Sequence, residues 1–279
     1  MPLPPNPQKQ QGTAIFMALF FVVLVTSIAI SWYLQSRVAV KRTRLMITAD
    51  QAYLSAQEML NLEIELLKTS LKKTSQKTKL SWPILLNKRA SSKGTLLYGR
   101  IDDYQARLNI NNMTEPDTKA AFIRILTELD PTTDSTSALQ LADNVIAWIT
   151  ATKLLSPAML EINASYSRKN PPYRAANRPM HSLSELRLVK GIRASIFLKL
   201  EPFISALPPK TPINLQHASE IVFRAYHSSP QSSPAEVVSE FFLARSEVEI
   251  QKLHLVLYTL LHRTSKNEVE LEWQSQGSV

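Results

Sequence analysis

The chain has 279 residues and no cysteine, which excludes disulfides, thiolate metal sites and cysteine nucleophiles, and lets it fold outside the cytoplasm without an oxidant. Lys and Arg number 32 against 23 Asp and Glu, and the formal net charge of +9 suits an anionic neighbour, lipid headgroups or nucleic acid, without choosing between them. Only 5 glycines occur, where an average chain of this length would carry about 20. None forms a Gly-rich phosphate loop, so dinucleotide-binding and P-loop readings fail.

From Thr13 to Ser36 the run TAIFMALFFVVLVTSIAISWYLQS carries no charge. A helix needs about 20 apolar residues to cross a ~30 Å hydrocarbon layer, so residues 13–36 are expected to span a membrane. A secretory signal usually has an apolar stretch of about 7–15 residues. This one is longer and is followed by Arg37, Lys41, Arg42 and Arg44, so the span is expected to be retained. Ahead of it, residues 1–12 (MPLPPNPQKQQG) are polar, Pro-rich and basic at Lys9, and end in a glycine against the apolar run.

That junction resembles a type IV prepilin leader. The resemblance implies that a prepilin peptidase cuts between Gly12 and Thr13 and that Thr13 becomes the methylated amino terminus. It also implies that the apolar helix packs on its counterparts through Ile15, Phe16, Leu19, Phe20 and Val23. Flanking charge taken alone gives the opposite topology, since basic residues tend to stay cytoplasmic and four follow the span. Prepilin-like proteins carry a glutamate five residues into the mature chain, a charge that is costly in hydrocarbon unless paired. Here that position is Met17. Without the carboxylate, the subunit cannot neutralise the amino terminus of one ahead of it. Among pilin-like families this absence marks the K-type minor pseudopilin of type II secretion, which sits at the filament tip.

Neither Pro nor Gly occurs between Thr13 and Trp82, and Leu54, Leu60, Leu62, Leu66, Leu67 and Leu71 alternate with Glu58, Glu63 and Glu65 at helical spacing. The membrane helix is therefore expected to continue as one long amphipathic helix, with no sustained heptad. From Thr95, TLLYGRIDDYQARLNINNM reads as a hairpin or two short strands. Asp102 and Asp103 point to opposite faces of such a strand, which argues against paired acid/base work and suggests a solvated turn.

Residues 114–208 read as an all-helical block: Pro116 and Asp117 open one helix, Ser137 another, Ser182 or Ser184 a third that Gly191 ends, and Ala194–Leu200 a fourth. FFLARSEVEI, QKLHLVLYTLLHR and EVELEWQ then alternate as antiparallel strands, with Val269, Leu271 and Trp273 expected on one side. The expected fold is α+β. A pilin-like long N-terminal helix packs on an antiparallel sheet, with residues 37–113 giving the rest of that helix and the first strands, residues 209–279 the C-terminal part of the core, and residues 114–208 an inserted helical domain.

SLSELRLVKGI and PINLQHASEIVFRAY resemble the two halves of a helix-hairpin-helix DNA-binding module, whose glycine turn offers N–H groups to phosphate. Here Gly191 is followed by Ile192 and Arg193, and the second half has no glycine. A membrane-anchored DNA-binding protein is thus the second reading, and nucleic acid is disfavoured as a partner. The same residues are similar to the K-type minor pseudopilin more fully. NPPYRAANRPMHSLSELRLVKGI, LEPFISALP and INLQHAS follow in order from Asn170 to Ser219, after RIDDYQARLNINNM, so the likeness covers nearly the whole chain.

The resemblance implies a single-pass inner-membrane protein with its bulk in the periplasm, capping a pseudopilus tip and helping to initiate its assembly in protein secretion. The implied partners are the I-type and J-type minor pseudopilins, the inner-membrane assembly platform, the prepilin peptidase, and the secretin or secreted substrate met at the tip. It also implies calcium, held by acids after the insert's tryptophan. This chain has AWITATKLLSPAMLEINASYS there, with Thr150 and Thr152 where acids might stand and Glu161 as the one carboxylate, so calcium binding is expected to be weak or absent and no cofactor is expected. The histidines at 181, 217, 227, 254 and 262 show no HExxH spacing, and His217, Ser219 and Glu220 lack a nucleophile elbow, so no enzyme is expected.

Overall fold

The computed structural model describes residues 8–74, 82–89, 95–227, 237–264 and 268–277. By internal contacts the chain divides into residues 1–54 and residues 55–279. Helix α1 (Gln8–Thr74) has 67 residues, as expected from a stretch without Pro or Gly after Gly12. In the first unit its large apolar side chains are exposed from Ile15 to Ile47.

In the second unit the last turns of α1 bury a stripe at Ala56, Met59, Leu60, Glu63 and Leu67, the 3–4 spacing of one helix face. Leu62, counted from sequence among the apolar positions, is exposed instead. The stripe meets a five-stranded antiparallel sheet in the order β1-β2-β5-β6-β7. Its strands are β1 (Ile84–Arg89), β2 (Thr95–Asp103), β5 (Phe241–Ile250), β6 (Leu253–Arg263) and β7 (Val269–Gln276). Leu60 and Leu67 pack there with Ile101, Phe242, Ala244 and Leu261. Each such side chain removed from water stabilises the contact by about 1.5–3 kcal/mol.

Helix and sheet come together closely at Gly99, where an added Cβ would stand 2.8 Å from both Glu63 Oε1 and Met59 Sδ. No larger residue fits that contact without displacing a neighbour. Of the two readings of the segment from Thr95, a hairpin or two short strands, the hairpin is corrected: the segment holds two strands that do not pair with each other, β2 and β3 (Leu108–Asn109). The partner of β2 is β1 from the preceding ILLNKR, antiparallel with Ile84 opposite Ile101.

The opposite face of the sheet carries the helical body. Between β2 and β5 the chain forms β3 (Leu108–Asn109), α2 (Pro116–Leu129), α3 (Ser135–Ile149), α4 (Pro157–Tyr166), α5 (Ala194–Leu200), β4 (Ile204–Ser205) and α6 (Glu220–His227). β3 and β4 pair in parallel, joining the segment before α2 to the segment after α5. Tyr104, Phe122, Ile125, Trp148, Tyr166 and Leu200 form one large core, which Phe241, Leu243 and Leu260 of the sheet share. α6 belongs to this body: Arg124 of α2 donates to the Ala225 carbonyl at 2.6 Å, and Arg224 pairs with Glu128.

Two local readings change in the structure. The segment opened by Ser182 is a 3-10 helix, Leu183–Leu188, whose N-terminus is fixed by a capping box in which Glu185 reaches back to the Ser182 backbone. In β7 the alternation is broken by a bulge: Leu261 pairs with Leu271, but Leu260 pairs with Trp273, leaving Glu272 as the extra residue. Val269 therefore packs on the α1 side and Trp273 on the helical-body side, not together as strict alternation would have it.

Candidate functional site

Among the described residues one helix is long and apolar enough to cross a membrane, and it begins at Thr13. Ile15 and Leu19 stand one turn apart, as do Phe16 and Phe20, with Val23 a turn further on, so these residues form adjoining ridges. All are exposed, Phe16 at 80%. The hydroxyls of Thr26 and Ser27 donate back to the Val22 and Val23 carbonyls at 2.8 Å, which satisfies them without any outside partner. Met17 lies in the same stretch, 68% exposed, and offers a thioether where a carboxylate would have been a buried charge in lipid. At the far end Trp32 and Tyr33 precede Arg37, whose guanidinium lies 5.6 Å over the Tyr33 ring, the aromatic-then-basic order of a membrane boundary. The backbone is helical at Gly12 and Thr13, and residues 1–7 of the expected leader lie outside the described residues.

Two acidic residues that sequence placed in solvent are interior. Glu63 is fully buried between α1 and the sheet, accepting the Arg100 N–H at 2.9 Å and the Ser246 hydroxyl at 2.6 Å. Burial pushes its pKa up to about 7, against the smaller opposing pull of those two hydrogen bonds.

Asp103 is 5% exposed, not part of a solvated turn. Its Oδ2 accepts from Ser239 Oγ at 2.6 Å and lies 2.6 Å from His217 Nδ1, while Oδ1 accepts the Gln105 N–H at 3.1 Å. Its neighbour Asp102 faces the other way, towards Arg100 and Arg107, as strand geometry requires. Only the burial of partner segments distant in sequence reveals Asp103; no local motif signals it.

His217, Ser219 and Glu220 are not brought together as a catalytic group. Each has a different partner: His217 the Asp103 carboxylate, Ser219 Oγ the Val222 N–H at 3.5 Å at the start of α6, and Glu220 the Arg224 guanidinium at 3.1 Å.

The helix-hairpin-helix likeness weakens in the same way. Lys190 N–H donates to Tyr166 Oη at 3.1 Å and Ile192 N–H to the Val189 carbonyl at 3.2 Å, so the donors flanking Gly191 are used internally. Gly191 itself, at φ +87°, backs onto Leu141, whose Cδ2 would be 2.5 Å from an added Cβ. Lys190 and Gly191 are exposed, but the flanking N–H groups that a phosphate would need are already engaged within the fold.

The tract after Trp148 does not match a calcium site. Such a site collects six to eight oxygens, carboxylates prominent among them. Glu161 is exposed on α4, Thr152 is exposed in a 3-10 turn, and Thr150 Oγ donates to the Ile146 carbonyl at 2.6 Å. Among the described residues no three His, Cys, Asp or Glu side chains are grouped to hold a metal.

Residues 106–209 match the model of the family described as type II secretion system (T2SS), protein K. The chain is 27% identical over 228 residues to type II secretion system protein K of Pseudomonas aeruginosa, covering 77% of this chain and 68% of that one. To the protein of the same name in Aeromonas hydrophila it is 26% identical over 220 residues, covering 73% and 66%. The chain thus spans about two thirds of the length of these relatives. Its fold is similar to that of a chain in the crystal structure of the GspK-GspI-GspJ complex from the enterotoxigenic Escherichia coli Type 2 Secretion System. There the TM-score is 0.67 at 19% identity, over 85% of this chain and 100% of that chain.

Proposed function

We propose that the chain, which matches the type II secretion system protein K family over residues 106–209 and is similar to that family's relatives, is a minor pseudopilin that caps the tip of a periplasmic pseudopilus and helps to start its assembly. Met17 carries the reading. In a stack of such helices each amino terminus is neutralised by a carboxylate on the next subunit, and an unpaired charge at the bilayer centre costs about 2.5–3.5 kcal/mol or more. A subunit with methionine at that position accepts no neighbour ahead of it, so it ends the stack.

In this account the prepilin peptidase cuts after Gly12, Thr13 is methylated, and the helix remains as a single inner-membrane span with the bulk of the chain in the periplasm. Between helices in lipid the drive is close packing rather than the hydrophobic effect. The exposed ridges at Ile15, Phe16, Leu19, Phe20 and Val23 are the surface offered to the I-type and J-type minor pseudopilins. The similar chain crystallised as a GspK-GspI-GspJ complex supports those partners. The assembly platform would receive the complex, and the secretin or the secreted substrate would meet its outer end. No catalytic activity is proposed, in keeping with relatives named as secretion-system components.

The absence of cysteine makes the test clean. A single cysteine at Phe16 or Leu19 should form disulfides in the native membrane with cysteines at matching helix positions of the I-type or J-type protein, and none with a second copy of itself. Self-cross-linking at these positions, with none to those proteins, would refute the proposal.

A further inference from the structure

We infer that the turn after Trp148 is held by the side-chain amide of Asn177 in the place where family resemblance leads one to expect calcium, and that the helical body of this chain folds independently of that ion. α3 ends at Ile149, and the last carbonyls of a helix have no partner within it. Three of the carbonyls at this end converge on one residue. Asn177 donates its backbone N–H to Trp148 O at 2.8 Å, and its Nδ2 to Thr150 O at 3.0 Å and to Ala147 O at 3.4 Å. It does so from the left-handed region, φ +48°, which asparagine tolerates better than most residues. Asn163 Nδ2 adds a second amide to Ala147 O at 3.4 Å.

A cation would need these carbonyl oxygens to converge on empty space with carboxylates beside them. They converge on amide nitrogens instead. The charge of the tract points the same way: Lys153, Arg168, Lys169, Arg174 and Arg178 lie between residues 148 and 178, with Glu161 the single acid. A divalent cation is repelled there, whereas a neutral amide is not. The three carbonyls and the donors of Asn177 satisfy one another; beside them Asn163 Oδ1 is buried without a partner, but a single neutral amide oxygen falls far short of the six to eight oxygens that calcium collects.

The test uses the full chain in detergent. Thermal unfolding followed by circular dichroism should give the same midpoint in millimolar calcium and in chelator, and calorimetric titration with calcium should show no binding heat. Asn177→Asp replaces the donor with a charged acceptor facing three carbonyls, and should lower the midpoint by about 3–8 °C. Asn177→Gly keeps the left-handed backbone and loses only the amide, so it should also fall, and it serves as the readout if the aspartate variant does not fold. A wild-type midpoint that rises with calcium, saturable calcium binding, or an Asn177→Gly variant as stable as the wild type would each overturn the inference.

Discussion

Asp103 Oδ2 and His217 Nδ1 stand 2.6 Å apart across 114 residues of sequence. The carboxylate ends β2, just before the chain enters the helices; the imidazole lies in the segment between β4 and α6; and Ser239, on the same oxygen, leads from α6 into β5. Asn214 Nδ2 closes the group with a 2.7 Å bond to Ser239 Oγ. One buried carboxylate therefore ties the entry and exit of the helical body to the sheet, where the backbone pairing of β3 with β4 is only two residues long.

Removing Asp103 strands several donors in the interior. Asp103→Ala should destabilise the protein by about 2–4 kcal/mol, and His217→Ala by less, since that ring is part-exposed and can hydrate. Urea unfolding of both single variants and the double variant measures this, with a coupling energy of at least about 0.5 kcal/mol expected for residues in direct contact.

Glu63 predicts a pH dependence. Its folded-state pKa is raised from 4.5 to about 7, so the folded state holds the proton more tightly than the unfolded chain does. Its contribution to stability is greatest below 4.5 and is lost as pH rises through 7, a loss of about 3 kcal/mol at most. Glu63→Gln keeps an acceptor for the Arg100 N–H, and should flatten this part of the profile and stabilise the protein above pH 7. Denaturation midpoints for both proteins between pH 4 and 8 decide it, and parallel profiles would contradict the assignment.

These two carboxylates mark where sequence reading ends. Helical spacing put Leu60 and Leu67 on a buried face, yet it could not show that Glu63 shares that face, because charge argues for water until Ser246 and the Arg100 N–H are seen to meet it. Strands β5 and β6 were legible from their apolar bursts and their long register, joined at Gln251 and Lys252 by a two-residue turn with Gln251 at φ +57°. Strand β1 was not, since six residues of ILLNKR carry too little alternation to stand apart from a loop. The bulge at Glu272 defeated strict alternation in β7, because an inserted residue leaves no local signature in sequence. The exposed apolar stretch of α1 was legible throughout, because its length and composition are those a hydrocarbon layer requires.

Processing gives a direct prediction at Gly12. Replacing it with a bulky residue such as leucine should leave uncut precursor and block secretion. Mass spectrometry of the amino terminus from native membranes should find methylated Thr13 in the wild type and Met1 in the variant. A normally processed variant would contradict the leader assignment.

The central claim is that methionine at position 17 confines this subunit to the end of a stack. Gold labelling of an epitope-tagged chain on pseudopili assembled in cells locates it directly. The account predicts label at one end of each filament, whereas label spaced along the shaft would contradict it.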